Sequence, residues 1–155
     1  MKVYETSQKG FIISTDKTKL NIETAHNYLS KESYWAKNIP VETVHKSIAG
    51  SCCFGLYKNE NSGATQIGFA RVITDFATFG YLADVFIIES YRGKGLAKWL
   101  IETVLRHPDL QGLRRWLLAT RDAHNLYKNF GFLPLDKPEH IMGFKPFEEY
   151  HETNS

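Results

Sequence analysis

One stretch, from Tyr81 to Leu105, constrains the fold of this chain more than any other. An apolar run of strand character leads through a short turn into Arg92–Gly95 (RGKG) and then into an amphipathic helix. Free N–H groups at a helix N-terminus, with the positive end of the helix dipole behind them, bind anions. Glycines at positions 93 and 95 place no Cβ between those N–H groups and a ligand. The stretch therefore predicts a strand–turn–helix unit that binds a pyrophosphate.

Apolar patterning on both sides of this unit predicts an α/β (α+β) sheet with helices on both faces. The predicted strands are Phe11–Ser14, Ser51–Lys58, Gln66–Thr74, Phe79–Ile88, Arg115–Thr120 and a last pair, Phe132–Leu135 and Ile141–Phe144. The predicted helices are Ile22–Leu29, 41–50, one that starts at Lys94, and a short one over 123–130 that Asp122 caps. The three strands between 51 and 88 form a meander, and the strand at 115–120 is long enough to be buried on both faces.

Composition and length bound the class of protein. The 155 residues suit a single domain, predicted over 1–150, with 151–155 as a disordered tail. A net charge of +2 is too small to indicate a nucleic-acid partner, and no apolar stretch is long enough to indicate a membrane span. Cys52 and Cys53 are adjacent, so they have neither metal-ligand nor disulfide spacing, and neighbouring strand residues face opposite ways. The sequence predicts no metal and a reducing, cytoplasmic location.

Several phosphate-binding schemes use a glycine turn of this kind. A P-loop is excluded because the pattern Gly-x4-Gly-Lys-Ser/Thr is absent. A dinucleotide fingerprint fails because Lys98 stands where the third glycine belongs, and the positions about 20 residues further on hold Leu113 and Arg114 instead of an acidic residue. A tight turn with solvated charges is the remaining alternative to another phosphate site.

The turn resembles the signature of the GNAT superfamily of N-acetyltransferases, Arg/Gln-x-x-Gly-x-Gly/Ala, which Arg92, Gly95 and Ala97 satisfy. A second element of that family, a helix that ends Leu-Tyr-x-x-x-Gly-Phe, is present at 126–132. The order of predicted elements is also similar, so the resemblance extends over most of the chain. The sequence departs from the family at Thr120, where Asn is frequent, and at Glu89, where Pro is frequent.

The resemblance implies a mixed, mostly antiparallel central sheet of about six to seven strands, and acetyl-coenzyme A as acetyl donor. It places the pyrophosphate on the glycine turn and the pantetheine arm along the preceding strand, where the sheet splays into a cleft. The residues that it assigns to the donor are Val85, Phe86, Ile87, Arg92, Gly93, Lys94, Gly95, Leu96 and Ala97.

Two residues are candidates for the chemistry. The resemblance implies that Tyr127 faces the sulfur and protonates the leaving thiolate, with simple packing as the alternative. Asp84 is the only charged residue in the apolar run, and alternation puts it on the face of Leu82 and Phe86. It is either a base that deprotonates the acceptor or a structural partner of Arg71 or of main-chain donors. The N–H of Ile87 is the natural polariser of the thioester carbonyl.

The predicted function is transfer of an acetyl group to a primary amine by direct attack on the thioester. The acceptor is a small-molecule amine or a protein amine, and Tyr28, Tyr34, Trp35 and Phe79 are candidates for its pocket unless they belong to the core. A catalytically silent acyl-coenzyme A-binding sensor is the alternative function. Both a monomer and a homodimer remain open.

Overall fold

The computed structural model describes residues 2–151 and shows one six-stranded sheet with four α-helices. The strands are β1 Glu5–Gln8, β2 Phe11–Ser14, β3 Cys52–Glu60, β4 Gly63–Thr74, β5 Phe79–Ile87 and β6 Arg115–Leu118. The α-helices are α1 Ile22–Asn27, which continues as a π-helical turn over Tyr28–Glu32, α2 Val41–Ala49, α3 Leu96–Arg106 and α4 His124–Lys128.

The strands lie in the sheet in the order of the sequence, from β1 to β6. All neighbouring pairs are antiparallel except β5 and β6, which are parallel and are joined through α3. The predicted mixed, mostly antiparallel sheet and the predicted meander are therefore confirmed. Within residues 2–151, no helix is both long and apolar enough to cross a membrane.

Each face of the sheet is covered by helices, as predicted. One apolar cluster packs β2–β5 against α3, through residues such as Phe54, Val72 and Leu100. The other packs the opposite face against the segment from α1 to α2, through residues such as Phe69 and Val44. Cys52 belongs to the first cluster and Cys53 to the second, so the expected alternation of these two cysteines is confirmed.

The sequence prediction missed β1. This strand, ETSQ, is polar and largely exposed at the edge of the sheet, so it lacks the apolar alternation that marks a buried strand. The signal that was present is the turn that joins it to β2. Lys9 and Gly10 both have positive φ, 48° and 84°, which is the backbone of a two-residue hairpin turn.

The C-terminal third differs most from its prediction. β6 is shorter than predicted and is half-buried at an edge, so the prediction that it is buried on both faces is wrong. Asp122 does not cap α4; the hydroxyl of Thr120 accepts from the N–H of Ala123 (3.0 Å). The predicted strands at 132–135 and 141–144 are absent, and this segment is mostly exposed. Of the predicted disordered tail, 152–155 lie outside the described residues.

Candidate active site

The cleft lies where β5 and β6 diverge. The two strands pair from Phe79 with Arg115 up to Leu82 with Leu118, and no pair follows in the described chain. Beyond that point lies a cavity of about 590 Å³, which is lined by residues 82–85 on one side and 119–123 on the other. We call this cavity the splay cleft. Both the glycine turn and α4 follow these diverging strands, so the topology brings them to the same end of the sheet.

The glycine turn has the geometry expected of an anion site. Gly93 and Gly95 have φ values of 79° and 76°, which favour glycine, and a Cβ on either would meet no atom within 4 Å. α3 therefore begins at Leu96, two residues later than predicted, with Gly95 as its N-cap. In the described part of the chain, no backbone carbonyl accepts from the N–H of Gly93, Lys94 or Gly95. These N–H groups and the first turn of α3 together offer donors to an anion.

Arg92 links this turn to the helices on the other face of the sheet. Its Nε donates to the carbonyl oxygen of Ile87 (3.0 Å) and its Nη2 donates to the hydroxyl of Tyr28 (2.8 Å). The ring of Tyr28 is stacked on Phe86, with centroids 4.0 Å apart and planes at 7°. Tyr28 is thus part of the second apolar cluster and orients the guanidinium of the turn.

The main chain of Ile87 faces away from β4. The N–H of Ile88 donates to the carbonyl of Ile67 (2.8 Å), so these two residues form a hydrogen-bonded pair. In an antiparallel ladder, hydrogen-bonded and non-hydrogen-bonded pairs alternate. The next pair, Ile87 with Gly68, is therefore without hydrogen bonds between the two strands. The carbonyl of Ile87 accordingly reaches Arg92, and its N–H points to the side from which β6 has diverged. By the same alternation Phe86 bonds to Phe69 of β4. Of the expected main-chain contacts of the donor, Ile87 is therefore free of β4, whereas Phe86 is bonded to it.

A β-bulge at Asp84 changes the direction of the side chains on β5. Arg71 pairs with Ala83 but Phe69 pairs with Phe86, so β5 carries one extra residue. Asp84 has a φ of 54°, which Asp tolerates better than most residues. Leu82 packs in the α3 cluster and Phe86 in the opposite one. The prediction that Asp84 shares a face with both is therefore wrong, because regular alternation stops at the bulge.

Asp84 is held by two neighbours at the base of the cleft. Its Oδ1 accepts from Trp35 Nε1 (2.8 Å) and its Oδ2 accepts from Arg71 Nε (2.9 Å). Arg71 also donates to the hydroxyl of Ser51 (3.0 Å) at the end of α2. The side chains of Arg71 and Asp84 are only 15% and 10% exposed, so this is a largely buried ion pair. The pairing named as the structural alternative for Asp84 is present.

Tyr127 stands on the opposite wall of the cleft. It lies in α4, which Gly131 follows with a φ of 93°, and its ring packs edge-on against Phe132. Burial, and then the proximity of Tyr34 and Asp122, raises the pKa of the Tyr127 phenol to about 12. The phenol therefore remains protonated at neutral pH and is able to donate a proton or a hydrogen bond into the cleft.

The mouth of the cleft is aromatic and charged. Tyr34 and Trp35 are each 41% exposed and meet edge to face. The guanidinium of Arg121 lies 3.9 Å from the centroid of the Tyr34 ring, and the Tyr34 hydroxyl accepts from the N–H of the same arginine (2.8 Å). Sequence reasoning missed Arg121 and also Tyr150, which returns from the end of the chain to line the cleft.

Two of the four aromatic candidates for the acceptor pocket line the cleft. Tyr34 and Trp35 line the cleft, whereas Tyr28 contributes indirectly through Arg92. Phe79 does not line it, because it pairs with Arg115 at the far end of β5. The expectation for Phe79 is wrong.

The acetyltransferase (GNAT) family model matches residues 22–132, and the chain belongs to this family of acetyltransferases. A Gibberella zeae protein that its name assigns to the acetyltransferases is 34% identical in an alignment 140 residues long that covers 78% of this chain and 78% of its own. A GNAT-family protein from Xanthomonas campestris is 45% identical, with a TM-score of 0.83 over 90% of this chain and 95% of its own. Rv2747 from Mycobacterium tuberculosis, solved with coenzyme A, shares the fold at 13% identity, with a TM-score of 0.65 over 80% of this chain and 72% of its own.

Proposed function

We propose that this acetyltransferase moves an acetyl group from acetyl-coenzyme A to a primary amine, which attacks the thioester directly. The observation that carries the proposal is the splay cleft itself, which has an anion-binding turn at the start of α3 and the half-buried phenol of Tyr127 on its other wall. When bound, acetyl-coenzyme A supplies an acetyl group activated as a thioester.

The residues present fit this donor. The N–H groups from Gly93 to Ala97 would hold the pyrophosphate, since the space over both glycines is open. The N–H of Arg92 donates to the carbonyl of Glu89 (3.1 Å), so Arg92 would contribute through its guanidinium. The main chains of Val85 and Ile87 would hold the pantetheine arm, because the strand that would otherwise bond to them has diverged. The N–H of Ile87 would then donate to the acyl oxygen and stabilise the negative charge that develops there.

Tyr127 supplies the proton that the leaving sulfur needs. A phenol whose pKa is raised to about 12 does not lose its proton at neutral pH, so the group is present as an acid throughout the working range. Its position on the wall opposite β5 keeps it apart from the donors that bind the acyl oxygen.

The acceptor must lose a proton before it attacks. A lysine-like amine is unprotonated in only roughly one molecule in 10³ near pH 7, a barrier of about 4 kcal/mol. Asp84 is the candidate base, since it lies at the base of the cleft between β5 and the aromatic mouth. Its ion pair with Arg71 supports the alternative, in which it only holds Arg71 and Trp35 in place.

Calorimetric titration with acetyl-coenzyme A and thiol release with a panel of small-molecule and protein amines test the proposal. We expect binding in the micromolar range and amine-dependent release of thiol. Tyr127→Phe should lower kcat by roughly 10²-fold, in the range of general acid catalysis, with little change in donor affinity. Tyr4→Phe is the matched control, because Tyr4 packs against His107 and does not line the cleft.

Absence of donor binding at high micromolar concentration would overturn the proposal. Equal losses of kcat and donor affinity in Tyr127→Phe would assign that tyrosine to packing. Binding of the donor without thiol release from any amine would favour the acyl-coenzyme A sensor instead.

A further inference from the structure

One cation at the mouth of the splay cleft is fixed in position by its neighbour. Arg121 lines the cleft, and its guanidinium lies 3.9 Å from the centroid of the Tyr34 ring. The Tyr34 hydroxyl accepts from the main-chain N–H of the same arginine (2.8 Å), so one tyrosine holds both its backbone and its side chain. A guanidinium that stacks on an aromatic ring keeps its N–H donors free to point outward in its own plane.

The N–H donors of this guanidinium are available to a ligand. In residues 2–151 no acceptor takes a hydrogen bond from the side chain of Arg121, and no carboxylate forms an ion pair with it. Arg121 and Tyr34 are both exposed, so solvent reaches the group. A planar fork of this kind binds a carboxylate or a phosphate through two parallel hydrogen bonds. Arg121 therefore offers a second anion site, beside Tyr34 and Trp35 rather than at the start of α3.

Four charged side chains line the cleft: Arg71, Asp84, Arg121 and Asp122. The first two neutralise each other across 2.9 Å. Asp122 lies near Tyr127, since burial, and then the proximity of Tyr34 and Asp122, raise the pKa of that phenol. A cation at the mouth and an anion beside the phenol match a ligand that carries both charges. A polyamine would instead bring a second positive charge to Arg121, so the cleft disfavours it.

We propose that the acceptor is a small zwitterion, a primary amine that also carries a carboxylate or a phosphate, and that the guanidinium of Arg121 binds its anionic group. The inference rests on the proposed acetyl transfer and names the substrate class of the same cleft. The cavity of about 590 Å³ has the size of a small-molecule site. Arg121 is therefore a specificity-determining residue, while the amine reacts deeper in the cleft.

The anionic group takes no part in the reaction itself. The amine nitrogen forms an amide bond to the acetyl carbon, and the thioester C–S bond breaks. Of the protons that the ammonium group loses, one goes to the leaving sulfur and the other goes to solvent. The carboxylate or phosphate is unchanged, so its contact with Arg121 affects which amine is accepted and leaves the chemistry of the transfer as it is.

The test compares matched amines by thiol release. Glycine, γ-aminobutyrate and ε-aminocaproate are each paired with the alkylamine that has a methyl group in place of the carboxylate: ethylamine, butylamine and hexylamine. Aminopentyl phosphate replaces the carboxylate by a phosphate, and cadaverine replaces it by a second amine. We expect kcat/KM to be at least about tenfold higher for the best anionic amine than for its alkylamine partner, and lowest for cadaverine. The better of the carboxylate and phosphate arms identifies the anionic group.

Variants of Arg121 separate recognition from folding and from donor binding. Arg121→Gln should lower kcat/KM for the anionic amines by roughly 10- to 100-fold, the effect of a lost hydrogen bond to a charged group, and change it less than about twofold for the alkylamines. Arg121→Glu should reverse the preference, so that cadaverine becomes a better acceptor than ε-aminocaproate. Arg106→Gln is the matched control, because Arg106 is also exposed but pairs with Glu102 and does not line the cleft.

Calorimetric titration of ε-aminocaproate and of aminopentyl phosphate into the protein saturated with coenzyme A gives a readout that needs no turnover. Binding that Arg121→Gln abolishes, without thiol release from any amine, would support the anion site and overturn the acetyl transfer. Alkylamines that react as well as their anionic partners would leave the transfer standing and overturn the present proposal. Weaker binding of acetyl-coenzyme A to Arg121→Gln would assign the guanidinium to the donor and would also overturn it.

Discussion

The substitution Asp84→Asn separates the two roles open to this carboxylate. Asn tolerates the φ of 54° at the bulge nearly as well as Asp, so the backbone of β5 is preserved. The side-chain oxygen of Asn can still accept a hydrogen bond from Trp35 Nε1, which lies 2.8 Å from Asp84 Oδ1 in the wild-type chain. What the substitution removes is the negative charge that faces Arg71 Nε at 2.9 Å.

The size of the effect follows from the burial of that pair. Leaving one partner of a buried ion pair alone costs about 3–5 kcal/mol. Arg71 keeps its hydrogen bond to Ser51 and 15% of its side-chain surface in solvent, so we place the loss at the lower end. A loss of about 3 kcal/mol in a domain of this size lowers Tm by roughly 6–12 °C.

Thermal unfolding followed by circular dichroism, and thiol release measured across pH, give the two readouts. If Asp84 is structural, Tm falls by the stated amount and the pH dependence of kcat keeps its shape. The double variant Arg71→Met/Asp84→Asn should then recover at least half of the lost Tm, because it leaves no stranded charge. An unchanged Tm, with activity lost mainly below the pKa of the acceptor, would refute the structural reasoning and identify the carboxylate as the base.

Three further predictions concern the turn, its support and the core. Gly95→Ala places a Cβ over the anion-binding N–H groups and should weaken acetyl-coenzyme A binding about tenfold in calorimetry; Gly112→Ala, with a similar φ of 78° and equally open space, should carry the same strain without that loss. Tyr28→Phe removes the hydroxyl that orients the guanidinium of the turn, so KM for the donor should rise a few-fold while Tm stays within about 2 °C. Burial lowers the pKa of His107 below its ordinary 6.5. The unfolded chain therefore binds a proton that the folded one does not, and stability should fall as pH drops below 6.5; in His107→Asn, Tm should depend less on pH.

Local signals accounted for the geometry of the glycine turn. The glycines at 93 and 95 and the helix after them lie close together in sequence, so their geometry depends on short-range sterics. The start of α3 was predicted within two residues. The bulge at Asp84 was not predictable, because it arises from the register between β4 and β5, and a register is a non-local property. The contacts of Trp35 and Arg71 with that carboxylate depend on the same register.

The weakest predictions fell at the two edges of the sheet. β1 is polar, and its formation depends on the Lys9-Gly10 turn more than on any apolar pattern. The segments at 132–135 and 141–144 have strand composition, yet a strand requires a neighbour to bond to, and in the single chain neither segment has one. Composition predicts the preference of a segment, while the partner decides whether that preference is realised.

The order of strands in the sheet has a consequence for how the protein acquires activity as it folds. Four of the five neighbouring strand pairs are antiparallel, and the strands of each pair follow one another in sequence. Three of these pairs are hairpins: β1 with β2, β3 with β4, and β4 with β5. The parallel junction of β5 and β6 closes only after the whole of residues 88–114, including α3, has folded back on the sheet. Loops of that length slow the formation of the contacts that they close. Because the splay cleft lies at this junction, we expect the ability to bind the donor to appear late during refolding, after the meander has formed.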